Sequence, residues 1–142
     1  MALMYYPNQG EILLCNYGGN VVPPEMDKLR PIVVISPRLR RRENLVGIVP
    51  LSTTAPHVME AFHCQIELGV PLPRPFDSPI MWAKCDMIAT VSKDRLDRFK
   101  AGRKANGGAR LFVAGKLTDA QLRDVKAAVL CGLGLSALTA HL

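Results

Sequence analysis

A chain of 142 residues is long enough for one domain with a real core, and 49% hydrophobic with 21% charged residues excludes a disordered polyelectrolyte. A net charge of +6 suits a polyanionic partner such as nucleic acid without requiring one. No apolar run has the length of a membrane span and no secretory signal opens the chain, so a cytoplasmic location is expected, with its four cysteines reduced.

Eleven prolines and eleven glycines, scattered along the chain, favour short strands and many turns. Gly10 to Tyr17 reads as the first strand, and the glycines, asparagine and prolines of Gly18 to Leu29 as a long loop. That loop carries Glu25 and Asp27, the latter read as solvated, and delivers the chain to Arg30 and Pro31. The β-branched run Ile32 to Ile35 suits a strand buried on both faces. Pro31 is expected at its first position, where a missing N–H does no harm, with Arg30 aimed from the strand mouth. Arg38, Arg40, Arg41 and Arg42 then form a basic hairpin tip before a second strand, Leu45 to Leu51, that ends in Ser52, Thr53 and Thr54.

Phe62 to Leu68 alternates as a further strand, and the prolines between Gly69 and Pro79 forbid regular pairing. Ile80 to Ile88 is expected as the last core strand, with Trp82 in the core and with Lys84 and Asp86 on one face. Val91 to Phe99 reads as a helical turn or short edge strand, about 100–110 as a mobile, basic, glycine-rich insert, and Leu111 to Val113 as a short strand. Thr118 and Gln121 make a capping box, and Leu122, Val125 and Val129 the apolar stripe of a helix ended by Gly132 and Gly134. The expected architecture is mainly β with α, a small β-barrel closed by that amphipathic helix, in a single domain with its core at about 8–135. Adjacent His63 and Cys64 point to opposite faces of a strand, so no metal site is expected.

Gly10-Glu11-Ile12, then Lys28-Leu29-Arg30-Pro31 opening Ile-Val-Val-Ile-Ser-Pro, then Val49-Pro50-Leu51-Ser52-Thr53-Thr54, resembles the PemK/MazF family of toxin endoribonucleases. Lys84-Cys85-Asp86 and the helix opened by Leu117-Thr118-Asp119-Ala120-Gln121 fall where that family has its counterparts. The resemblance implies an SH3-like barrel, a homodimer with RNA in a groove across both subunits, cleavage of single-stranded RNA without metal or other cofactor, and a small antitoxin that occupies the groove. It assigns the phosphate-stabilising or acid role to Arg30, the hydroxyl after Val-Pro to Ser52, the carboxylate ahead of Arg-Pro to Glu25, and the later cation and carboxylate to Lys84 and Asp86. Lysine stands at position 84 where PemK-like members carry arginine, and lysine cannot form the same planar fork.

The chemistry implied is in-line attack by a ribose 2′-hydroxyl on its own phosphorus, leaving a 2′,3′-cyclic phosphate. Asp86 or Glu25 is the candidate base, Arg30 the phosphate clamp, Ser52 or Thr53 the orienting hydroxyl, and Lys84 a supporting cation or proton donor. Thr53, Thr54, Arg38, Arg40, Arg41 and Arg42 are candidate RNA contacts. Two alternatives stand beside it: a toxin that docks on a protein, as gyrase poisons of the same barrel do, and a module that binds RNA or antitoxin without cutting.

Overall fold

The computed structural model describes residues 3–103, 110–113 and 115–142. Its strands are β1 (Glu11–Asn16), β2 (Leu29–Val34), β3 (Leu45–Ser52), β4 (His63–Glu67), β5 (Ile80–Lys84), β6 (Ala89–Ser92), β7 (Leu96–Asp97), β8 (Phe99–Arg103), β9 (Arg110–Val113) and β10 (Gly115–Lys116), followed by one α-helix, α1 (Asp119–Gly132). The main sheet runs β10-β1-β2-β3-β5-β4, with β6 paired to β3 and β7 to β1, all antiparallel. This is a mostly β fold with a C-terminal helix, and the hydrogen-bonded path among the described residues is open from β10 to β4.

Three of the four residues in the β-branched run behave as their composition demands, whereas Ile35 lies past the end of β2 and is half-buried. Ile32, Val33 and Val34 are fully buried. Val33 joins the cluster beneath α1, with Val49, Leu51, Met81, Ala83, Val125 and Val129, while Ile32 and Val34 join a second cluster with Leu13, Cys15, Val46, Ile48 and Leu96. Two covered faces explain why no polar residue falls within Ile32–Val34. The helix starts as expected: Thr118 accepts from the Gln121 N–H at 3.1 Å and Gln121 accepts from the Thr118 N–H at 3.0 Å. Gly134, at φ +73°, follows its end.

Several expectations are corrected. The strand expected to reach Ile88 ends at Lys84, and Cys85–Met87 form a 3₁₀ turn, so Lys84 and Asp86 do not share a strand face. Packing decides this: the Cys85 N–H donates to Phe62 O at 3.0 Å, and α1 brings Gly132 so close that a Cβ there would lie 3.2 Å from Asp86 Cα. Trp82 is half-buried rather than core. Pro31 sits third in β2, paired with Leu14, rather than first. Beyond β6 the chain makes a 3₁₀ turn at Lys93–Arg95 and then β7, and the C-terminal tail is itself 3₁₀ over Ser136–His141. Of the glycine-rich insert, 104–109 lie outside the described residues; β8 and β9, which flank them, pair with each other.

Candidate active site

Two prolines shape the mouth where Arg30 emerges. The β2–β3 ladder pairs Val34 with Ile48, Val33 with Val49 and Ile32 with Pro50, and stops there. Pro31 and Pro50 have no N–H to carry it further. Continued by two residues in the same register, the strands bring Arg30 level with Ser52, just past the last bond. On the other side of β3, Ser52 pairs with Trp82, and on β4 Gln65 pairs with Trp82 and His63 with Lys84.

Strand alternation puts Arg30, Ser52, Trp82, Lys84, Gln65 and His63 on one face, and their burial agrees. All six are half-buried or exposed, whereas Pro31, Leu51, Met81 and Ala83, which point the other way, are buried. The opposite face of β3, β5 and β4 packs under α1. The covering of the near face, built on Leu3, Leu96 and their neighbours, lies over β1, β2, β3 and β6 and, among the described residues, takes in none of β4 or β5. What results is an open, partly polar face with a fixed cation at its rim.

Arg30 is gripped from one side. Its Nε donates to Asp27 O at 3.1 Å and its Nη2 to Asp27 Oδ1 at 3.2 Å, with 36% of the Arg30 side chain exposed. Asp27, expected to be solvated, is therefore the carboxylate that touches Arg30. Glu25 turns away, its carboxylate accepting from the Val22 N–H at 3.2 Å. The signal in the sequence was Asp27 at three residues before Arg30, but its use depends on Lys28, which adopts φ +63° and folds the chain back. Tyr17 N–H anchors that turn to Lys28 O at 3.0 Å. The Tyr17 hydroxyl is buried without a partner among the described residues. Burial pushes its pKa well up, and the nearby Arg30 charge opposes that shift.

The other candidates are distributed unevenly. Ser52 Oγ accepts from the Thr54 N–H at 3.1 Å and donates a long bond, 3.4 Å, to Thr54 O, while Thr53 and Thr54 are exposed. Lys84 holds the end of β5, and Asp86 is exposed on the following 3₁₀ turn against α1. The register brings neither Asp86 nor Glu25 opposite Arg30. Arg38, Arg40, Arg41 and Arg42 are exposed at the far end of the β2–β3 hairpin, Arg38 paired with Glu43 at 2.7 Å. From Arg30 to Val34 is already roughly 13 Å of strand, and the basic loop begins beyond that. A cavity of about 380 Å³ lined by Tyr6, Pro7, Asn8, Gln9, Pro37 and Arg38 lies at that distant end. His63, weighed in the sequence only as half of a metal pair, joins the open face beside Lys84. Its Nδ1 accepts from the Glu60 N–H at 3.0 Å, which leaves Nε2 as the protonated nitrogen of the neutral ring.

A family model described as PemK-like, MazF-like toxin of type II toxin-antitoxin system matches residues 8–131. The protein YifN of Escherichia coli strain K12 is 35% identical over 121 residues, covering 72% of this chain and 80% of that one. An endoribonuclease of a mycobacterial species, solved in complex with its cognate antitoxin, superposes with a TM-score of 0.58 at 23% identity, covering 91% of this chain and 96% of that one. MazF of Deinococcus radiodurans superposes with a TM-score of 0.59 at 18% identity, covering 92% and 98%. At these identities the structural likeness is one of fold.

Proposed function

Since the chain belongs to the PemK-like, MazF-like toxins of type II toxin-antitoxin systems, we propose that it is an endoribonuclease that cuts single-stranded RNA by attack of a ribose 2′-hydroxyl on its own phosphorus, without metal, and is held in check by a small antitoxin protein. What carries this reading is the half-exposed Arg30 at the proline-ended mouth of β2 and β3, which the β2–β3 register, continued past its last pair, aligns with Ser52. A guanidinium fork on the phosphoryl oxygens stabilises the charge that builds in the transition state, and a preorganised cation does so with little reorganisation. Ser52 or Thr53 orients the phosphate, Asp86 or Glu25 takes the 2′-hydroxyl proton as the 2′-oxygen bonds to phosphorus, and Lys84 supports the phosphate as a second cation or protonates the 5′-oxygen that leaves. Arg30 acts as the phosphate clamp, its planar fork matching the phosphoryl oxygens. Thr53, Thr54, Arg38, Arg40, Arg41 and Arg42 are further RNA contacts, the four arginines at the far end of the β2–β3 hairpin. The proposed setting is one SH3-like domain, paired with a second copy, in the cytoplasm.

The test uses labelled RNA, the full chain and excess chelator, beside oligonucleotides with single 2′-deoxy substitutions at each cut site. Cleavage that persists with chelator, leaves cyclic-phosphate ends and stops at each deoxy position is expected. Arg30→Ala should lower the rate on the order of 10²–10³, with the thermal transition unchanged. Intact RNA with folded wild-type protein would instead point to the binding module or the protein-docking toxin, and an Arg30→Ala rate within a few-fold of wild type would displace the clamp.

A further inference from the structure

We propose that Asp27 is the positioning residue of Arg30: it occupies the Nε/Nη2 edge of the guanidinium and leaves the Nη1/Nη2 edge presented to the RNA phosphate. This deepens the ribonuclease reading above and rests on it. A guanidinium offers five N–H donors in a rigid plane, arranged as two edges that can each make a paired contact. Asp27 supplies both acceptors for one edge, its main-chain carbonyl at 3.1 Å from Nε and its carboxylate at 3.2 Å from Nη2. Among the described residues no acceptor is assigned to Nη1. The plane is thus set by one residue, while 36% of the Arg30 side chain stays exposed.

Three features keep that residue in place. Lys28 at φ +63° reverses the chain between Asp27 and Arg30, a conformation unusual for a lysine and of the kind that persists where the surroundings impose it. The turn is tied to Tyr17, the residue that follows β1, whose N–H donates to Lys28 O at 3.0 Å. Arg30 itself is fixed to β1 by its pairing with Cys15. The chain is therefore held at Lys28 and again at Arg30, directly after Asp27, with the Asp27 carboxylate 3.2 Å from the guanidinium. An arginine with four rotatable side-chain bonds gains most from such an anchor, because a cation displaced by an ångström loses much of its effect on the transition state.

The test follows the Arg30 side chain and the reaction separately. In full-length protein with ¹⁵N-labelled arginine, the Arg30 Nε–H order parameter is expected above about 0.8 in the wild type and below about 0.6 in Asp27→Ala, with Asp27→Asn between them. With RNA, Asp27→Ala should lower single-turnover cleavage about ten- to a hundredfold, while affinity for an uncleavable 2′-deoxy oligonucleotide stays within about threefold. Asp27→Asn, which keeps one acceptor, should recover much of the rate, and Asp27→Ala should add nothing in the Arg30→Ala background. An unchanged order parameter in Asp27→Ala, faster cleavage, or an equal loss with Arg30 already removed would overturn the proposal. A wild-type protein that cuts no RNA would sink the ribonuclease reading, and the order parameters would still decide whether Asp27 holds Arg30.

Discussion

Asp27 and Arg30 form an exposed pair, and exposed pairs contribute only about 0–1 kcal/mol to folding, so their significance lies in where they hold a charge. The cysteines are the opposite case. Burial pushes the Cys15 and Cys64 thiols up to about 11 and the Cys85 thiol up to about 12, from an ordinary value of 9.0. For Cys64 a nearby Asp124 adds to the shift, and for Cys15 the Arg95 charge opposes it. All four cysteines are free. A thiol whose pKa is raised on folding contributes stability that is complete below the unfolded value and lost as pH climbs through the folded one. The urea midpoint should therefore hold to about pH 9 and fall towards pH 11–12. Cys85→Ala, compared at the same pH values, should show a shallower alkaline fall. A midpoint that declines identically in both proteins would mean that the buried thiol is not responsible.

The elements around the site are ended by identifiable devices. Pro31 and Pro50 stop the β2–β3 ladder, a 3₁₀ turn stops β5, and the close approach of α1 keeps that turn in place. Gly132 is the contact point: a Cβ there would meet Asp86 Cα at 3.2 Å and both Asp86 N and Phe62 Cβ at 3.4 Å. Alanine normally gains about 1 kcal/mol over glycine inside a helix. Here the neighbour is backbone and cannot swing aside, so Gly132→Ala should lower stability, which urea unfolding would measure. If Asp86 is the base, the same variant should slow RNA cleavage by shifting its turn. A gain in stability would mean that the turn yields freely and that α1 does not hold Asp86.

At the scale of the whole molecule, the cations proposed to meet RNA stand at two separated places. Arg30 stands at one end of the β2–β3 hairpin and the arginine loop at the other, with more than about 13 Å of strand between them. Replacing Arg38, Arg40, Arg41 and Arg42 by alanine together should weaken RNA binding and flatten its salt dependence, each lost phosphate contact taking roughly 0.7 from the log–log slope. Cleavage at saturating RNA should remain near wild type, and a collapse of the saturated rate would place the loop at the chemistry. The sequence by itself determined what depends on neighbours in the chain: the buried β-branched strand, the basic hairpin, the Thr118 capping box and the helix that follows it, because periodicity, proline chemistry and caps act over a few residues. The tertiary structure decided what depends on partners distant in sequence. Asp86 left its strand because α1 packs against it. His63 and Trp82 came to face the same way as Ser52 because β4 and β5 pair beside β3. Asp27 reached Arg30 because a lysine was forced into a left-handed turn anchored on Tyr17, and no local preference of lysine foretells that conformation.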